Sequence, residues 1–101
     1  MDPGIPDIFI SDVVISTTGR DQGELFYVID TELPYLLLAN GKDRTLDKPK
    51  RKKRKHIQKV LRSETSVAEK LRTGDTVLNG ELRRDLAALS RDMQSDNLGG
   101  F

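Results

Sequence analysis

The first half of the chain is a succession of short apolar segments separated by turn residues, and this pattern restricts the fold more than any other feature. Residues 9–16 (FISDVVIS) and 25–30 (LFYVID) are rich in β-branched and aromatic side chains, and residues 35–39 (YLLLA) form a continuous apolar run. Such segments, bounded by glycine, proline and polar residues, favour strands over helices. We therefore expect an antiparallel meander in this part of the chain.

Two further segments extend the predicted sheet. Asn40-Gly41 is a pair typical of a tight hairpin turn, so residues 42–46 are predicted to return as a fourth strand. Proline cannot donate to a sheet ladder, and Pro49 should end that run. The apolar residues of segment 57–61 can supply a fifth strand. Five strands could close into a small barrel, which would remove the exposed edges.

The hydrophobic period changes near residue 66, where helices are predicted. Residues 66–69 (SVAE) have the spacing of a capping box with Ser66 as the cap, and the short helix should stop at Gly74. A second helix should begin near Asn79, because four apolar residues then recur on one helical face. These residues are Leu82, Leu86, Leu89 and Met93. We expect this face to pack on the sheet, and the alternative is a helix that binds a second protein.

The chain has the size of a single small domain. Its 101 residues, 36% of them hydrophobic, suffice for one modest core. We expect a mainly β fold, a small barrel followed by one or two short C-terminal α-helices. The predicted divisions are an irregular lead at 1–8, a barrel at 9–63, a helical extension at 64–94 and a flexible tail at 95–101.

Charge is segregated along the sequence despite a net charge of only +1. Eight of the 17 Lys and Arg residues fall within residues 48–59, which contain no acid. The rest of the chain has 9 basic and 16 acidic residues, so that its net charge is −7. A dense cationic segment indicates a polyanionic partner, and we expect the side chains of residues 50–55 to point into solvent.

Several functional classes are disfavoured by composition. The chain has no cysteine, and its one histidine, His56, lies among cations that would repel a metal ion. No nucleotide-binding loop or hydrolase motif is present in the sequence. We therefore expect a non-enzymatic protein without a cofactor, metal or small-molecule substrate. Residues 1–8 do not resemble a secretory signal and no segment is apolar enough to span a bilayer, so we expect a cytoplasmic location and no membrane partner.

Residues 12–30, two strands joined by the glycine-bracketed turn at 17–23 (TTGRDQG), resemble the KOW motif of ribosomal proteins and transcription elongation factors. The similarity continues through residues 38–44, Leu46, Lys48-Pro49-Lys50 and Lys55-His56. This longer pattern looks like the bacterial relatives of the eukaryotic-type large-subunit ribosomal protein fourteen, over about half of the chain. The resemblance implies an SH3-like barrel, RNA binding and a ribosomal or translation-linked role. It also implies that the turn at 17–23 belongs to the RNA-contacting face.

The residue chemistry of the turn and the basic segment is compatible with RNA binding. Glycines let the backbone approach a phosphate closely, and arginine and lysine neutralise phosphate charge. The expected partner is structured RNA, with ribosomal RNA preferred and ribosomal proteins as further neighbours. The candidate RNA-binding residues are Thr17, Thr18, Gly19, Arg20, Gly23, Lys42, Arg44, Lys48, Lys50, Arg51, Lys52, Lys53, Arg54, Lys55 and Lys59.

The same residues are also compatible with a second function. The protein could be an interaction adaptor in transcription or ribosome assembly that binds RNA only loosely. Tyr35 is the aromatic residue best suited to stacking on a base, although strand aromatics are mostly core. Asp21 and Glu24 lie in a predicted turn next to a cation, so we expect them, like Asp43 and Asp47, to form surface ion pairs.

Overall fold

The computed structural model describes residues 7–99, and their side chains through residue 94. It contains a five-stranded antiparallel sheet and two α-helices. The strands are β1 (Asp12–Ser16), β2 (Leu25–Glu32), β3 (Tyr35–Ala39), β4 (Lys50–Lys53) and β5 (Ile57–Arg62), and the helices are α1 (Ser66–Thr73) and α2 (Asn79–Gly99). The strand order is β4-β3-β2-β1-β5, and the sheet is open, with β4 and β5 at its two edges.

Strands β2, β3 and β5 confirm the predicted positions, whereas β1 is shorter than predicted. It starts at Asp12 rather than Phe9. The Asp12 carboxylate accepts a hydrogen bond from the backbone N–H of Phe9 at 2.9 Å. This bond closes a turn immediately before the strand, so residues 9–11 do not extend the ladder.

The predicted fourth strand at residues 42–46 is wrong. The Asn40 side chain accepts hydrogen bonds from the backbone N–H groups of Lys42 and Arg44, at 2.9 and 3.1 Å, and folds this segment into a turn. Strand β4 instead lies in the basic segment, after Pro49, and a 3₁₀ helix at Arg54–His56 connects it to β5. Proline therefore precedes the fourth strand and does not end the sheet.

Both faces of the sheet are covered by apolar side chains, because strand residues alternate between faces. Val14 and Phe26 belong to one cluster, and their neighbours Val13 and Tyr27 belong to the other. The first cluster consists of Ile8, Val14, Phe26, Val28, Leu36, Leu38 and Ile57. The second consists of Val13, Tyr27 and Ala39 of the sheet with Val67, Ala68, Leu82 and Leu86 of the helices. The expected single core is thus two clusters on opposite faces of one sheet.

Helix α1 lies where it was predicted, but its cap is one residue earlier. The hydroxyl of Thr65, not of Ser66, accepts the hydrogen bond from the backbone N–H of Ala68. Gly74 ends the helix in the left-handed conformation, as expected.

Helix α2 begins at Asn79 and packs on the sheet through Leu82 and Leu86, which confirms the expected packing. Met93, further along the predicted stripe, is 37% exposed. The Tyr27 hydroxyl donates to the carboxylate of Asp85, which also accepts a hydrogen bond from Thr65 at 2.8 Å, so a polar contact joins the helix to β2.

The predicted lead and tail fall partly outside the described residues. Helix α2 continues to Gly99, beyond the predicted boundary at residue 94. Residues 1–6 of the lead and residues 100–101 of the tail lie outside the part of the chain that the structure describes.

Candidate nucleic-acid interface

The turn at residues 17–23 connects β1 to β2 and is closed by backbone hydrogen bonds. Gly23 N–H donates to the Ser16 carbonyl at 2.8 Å, and Ser16 N–H donates to the Glu24 carbonyl at 3.1 Å. Gly19 and Gly23 have φ angles of +85° and +89°, in the left-handed region that favours glycine. Thr18, Gly19 and Arg20 are exposed at the tip of the turn.

Asp21 links this turn to β4 through two ion pairs. Its two carboxylate oxygens lie 2.7 Å from Lys52 Nζ and 2.6 Å from Lys50 Nζ. Lys52 also donates to the Thr18 carbonyl at 2.7 Å, and the Ser16 hydroxyl donates to Asp21 at 2.8 Å. The turn and the cationic strand therefore form one connected unit.

The Asp21 carboxyl stays ionised despite its burial. Burial alone would raise the pKa of Asp21, but hydrogen bonds from Lys50, Lys52 and Ser16 outweigh it and hold that pKa well below its usual range. Asp21 was expected to form a surface ion pair, and the structure confirms the pairing but places the carboxylate in the interior.

Strand β4 alternates between inward and outward cations. The expectation that residues 50–55 point into solvent is wrong for Lys52, which is only 8% exposed. On the outer face, the Arg51 guanidinium carbon lies 3.9 Å from the centroid of the Tyr35 ring, and Lys53 Nζ lies 5.9 Å from it. Both distances are in the range of cation–π interactions. Arg51 therefore contacts the face of the Tyr35 ring on which a base could stack.

Two more cations of the basic segment have internal partners. Arg54 binds both carboxylate oxygens of Asp7, at 3.0 and 2.7 Å, and donates to the Ile57 carbonyl at 2.7 Å. Lys59 Nζ lies 3.1 Å from a carboxylate oxygen of Asp12, whose side chain is 1% exposed. These two cations support the fold around β5 and the start of β1.

Carboxylates from outside the segment thus neutralise part of its charge. Five of the eight cations of residues 48–59 form ion pairs, since Arg51 also lies 3.7 Å from Glu32. Lys48, Lys53 and Lys55 are exposed and have no ion pair with any residue of 7–94. These three lysines are the part of the segment most available to an external anion.

The remaining candidate residues lie at the start of the turn at 17–23 and in the turn after β3. Thr17 N–H donates to the His56 carbonyl at 2.9 Å, which brings the 3₁₀ helix against the turn at 17–23. Lys42 and Arg44 are exposed in the turn after β3, and this turn contacts the first turn of α2 rather than Asp21. The structure also places Arg83 of α2 beside Lys42, in a groove that sequence reasoning did not identify.

Other kinds of site find little support in the described residues. Within residues 7–94 there is no group of three or more His, Asp or Glu side chains arranged to hold a metal ion. Neither of the two described helices combines the length and apolarity that crossing a bilayer demands.

Comparison with known proteins adds no family assignment. No model of a protein family matches the chain, and no curated protein matches it significantly. Functional interpretation therefore depends on the geometry described above.

Proposed function

We propose that this protein is a non-enzymatic RNA-binding module with an SH3-like barrel. The observation that carries the proposal is the buried ion-pair cluster of Asp21 with Lys50 and Lys52, which holds a glycine-containing turn against a strand of four consecutive cations. A turn that is closed by internal hydrogen bonds, exposes Thr18, Gly19 and Arg20 and lies next to exposed lysines suits a phosphate backbone.

The barrel assignment is supported by connectivity and by one contact across the sheet. A 3₁₀ helix joins β4 to β5, and β5 pairs with β1, so the last strand returns to the first. Lys52 on β4 donates to the Ser16 hydroxyl on β1 at 2.6 Å, although two strands separate β4 from β1 in the sheet. The sheet must curl strongly around the first apolar cluster for this contact to form.

The partner that we propose is structured RNA, with ribosomal RNA preferred on the resemblance to KOW proteins. Such a role would be ribosome-associated, in translation or ribosome assembly, and cytoplasmic. Binding would depend mainly on phosphate neutralisation, with little base readout.

The interface available for this binding is smaller than the sequence suggested. Lys48, Lys53 and Lys55 carry no internal ion pair within the described side chains, and Arg20 and Arg51 are also exposed in the unit formed by the turn and β4. If roughly three to five phosphates are neutralised, log affinity plotted against log salt should have a slope of about −3 to −4.5 on a duplex-like target.

The test compares two triple variants with the same loss of charge. Lys48→Gln, Lys53→Gln and Lys55→Gln together should weaken RNA binding and flatten the salt dependence. Lys52 is kept, because its loss would disturb the buried cluster. The control variant replaces Arg62, Arg84 and Arg91 by glutamine, and it should bind nearly as the parent does.

Each outcome of the titration decides a separate part of the proposal. Unchanged affinity of the lysine variant, with a native circular-dichroism spectrum, would contradict the proposed interface. Equal affinity of the parent for a structured rRNA fragment and for unrelated RNA of the same length would remove the preference for rRNA.

An interaction adaptor remains the second candidate, because one surface exposes large apolar side chains. Phe9 and Leu33 are 50% and 55% exposed. Both line a groove between residues 8–10 and the β2–β3 turn. Crosslinking in cell extract separates the two candidates. Enriched rRNA positions support the RNA module, and protein adducts that disappear in a Phe9→Ser, Leu33→Ser variant support the adaptor.

A further inference from the structure

A groove runs between the end of the turn at residues 17–23 and helix α2. Gly23, the last residue of that turn, lines it from the sheet side, and Ala87 and Ser90 line it from the helix. Because these three side chains are small, backbone atoms and the Ser90 hydroxyl group form part of the groove wall. The groove is therefore continuous with the proposed RNA-binding turn.

Two cations from different elements line this groove. Lys42 belongs to the turn after β3, and Arg83 belongs to the second turn of α2. Both are exposed, and neither forms an ion pair with a side chain in the described range 7–94. Glu24 is the acid that lines the same groove, and it leaves an excess of one positive charge there.

A close backbone contact holds the turn with Lys42 against the helix with Arg83. Gly41 lies against the first turn of α2, where a Cβ atom on Gly41 would be 2.1 Å from the carbonyl oxygen of Asn79. The Asn79 side chain also accepts a hydrogen bond from Leu46 N–H at 2.8 Å. Because Lys42 follows Gly41 and Arg83 lies one helical turn after Asn79, this contact sets the separation of the two backbone segments that carry the cations.

The two flanks of helix α2 carry side chains of opposite charge. The flank with Arg83, Ala87 and Ser90 lines the groove, whereas the flank with Asp85 and Asp92 lines a separate cavity on the α1 side. An anionic strand crossing the molecule would be attracted to the first flank and repelled by the second.

We propose that this groove binds a second stretch of the phosphate backbone of the same RNA, so that α2 extends the surface formed by the turn and β4. This inference rests on the proposed function and adds to it the helix residue Arg83, with Lys42 as its partner. The Arg83 guanidinium can donate two parallel hydrogen bonds to one phosphate, and Lys42 supplies a point charge for a neighbouring phosphate.

The first test measures the salt dependence of binding to a structured rRNA fragment. A Lys42→Gln, Arg83→Gln variant should have a slope shallower by about 1.4 to 1.8, since each of the two lost phosphate contacts contributes about 0.7 to 0.9. The control, Arg84→Gln with Arg91→Gln, removes the same charge from exposed residues of α2 outside the groove and should leave the slope nearly unchanged. Equal effects of the two variants would overturn the inference, because they would show only a general dependence on net charge.

A second pair of variants adds a negative charge on either flank of the helix. Ala87→Glu places a carboxylate in the groove, and Ala88→Glu places one on the acidic flank; both alanines are exposed. The expected result is a larger loss of RNA affinity for Ala87→Glu, at equal helical content by circular dichroism. Equal affinities would contradict the inference.

Failure of this inference can be distinguished from failure of the proposed function. If the parent binds RNA and the triple lysine variant does not, but the groove variants match their controls, then only the role of α2 is wrong. If the parent does not bind RNA in any salt concentration, both proposals are wrong.

Discussion

Lys52 and Asp21 form an ion pair at 2.7 Å in which both side chains are buried, although Lys52 belongs to the most basic segment of the chain. The pair joins the fourth strand to a turn 31 positions earlier in the sequence. One cation of the proposed RNA-binding segment is therefore part of the framework that shapes the interface.

Removing the Asp21 charge should destabilise the fold. Asp21→Asn leaves the buried Lys52 ammonium without a full counter-charge, and breaking such a pair typically costs about 3–5 kcal/mol. Glu32→Gln is the matched control, because it removes the carboxylate partner of another β4 cation, Arg51, from a pair in which both side chains are more than half exposed. Its cost should be below about 1 kcal/mol in urea unfolding. Similar losses for the two variants would show that burial of the Asp21 pair has no energetic consequence.

The Asp21 pair should also make stability depend on pH in the acid range. Its pKa is lowered in the folded state, so the unfolded chain takes up the proton first as pH falls. The stabilisation is fully present above the ordinary carboxyl pKa near 3.8 and is lost as pH decreases below it. The difference in unfolding free energy between the parent and Asp21→Asn should be constant from pH 6 to about pH 5 and should shrink in more acid solution. A difference that is independent of pH down to pH 2 would contradict this account.

Gly41 should tolerate no side chain. Gly41→Ala combines a φ of +76° with a Cβ that meets the Asn79 carbonyl oxygen, so the turn must move away from α2. We expect a loss of about 2–3 kcal/mol, from backbone strain and steric overlap together. Gly74→Ala is the control, since Gly74 has a φ of +79° but nothing within 4 Å of an added Cβ, and about 1 kcal/mol is expected there. Equal thermal shifts would mean that the contact with α2 does not constrain the turn.

The Tyr27 hydroxyl should contribute to stability, whereas the Tyr35 hydroxyl should not. Tyr27→Phe removes a donor to Asp85 and a 2.8 Å contact with Ser63, with an expected cost of about 1–2 kcal/mol. The Tyr35 hydroxyl has no hydrogen-bond partner among residues 7–94, so Tyr35→Phe should change the unfolding free energy by less than about 0.5 kcal/mol.

The contribution of Tyr27 should depend on pH in the alkaline range. Burial and the neighbouring Asp85 raise the pKa of Tyr27 above its usual value near 10. The unfolded chain therefore ionises first, and the contribution is fully present below pH 10 and lost above it. The unfolding free energies of the parent and Tyr27→Phe, measured from pH 8 to pH 11, should converge as pH rises.

The sequence was sufficient to predict elements with a clear local signal. Short apolar runs bounded by turn residues located β2 and β3, and the spacing of Leu82 and Leu86 located the packed face of α2. The fourth strand was misplaced because the Asn40-Gly41 pair also suits a longer turn closed by the Asn40 side chain. A run such as KRKK has no apolar alternation, so nothing local marked Lys50–Lys53 as a strand.

The candidate site was predictable in composition but not in geometry. The sequence identified the turn at 17–23 and the basic segment, but ion pairing depends on contacts between distant residues. No local pattern relates Asp21 to Lys52, or Asp7 to Arg54, and only the folded sheet brings them together. Arg83 was missed for the same reason, because its proximity to Lys42 follows from the contact between Gly41 and Asn79.

The position of β4 at the edge of the sheet has a consequence for self-association. Its outer backbone groups have no partner strand within the described residues, and a second copy could in principle add there. Edge-to-edge pairing of two such strands would bring Arg51 and Lys53 close to their own counterparts at a strand spacing of about 4.8 Å. The resulting repulsion would oppose such pairing between free copies. A polyanion that neutralised this edge without covering it would remove this repulsion, so substoichiometric RNA should promote aggregation that excess RNA reverses.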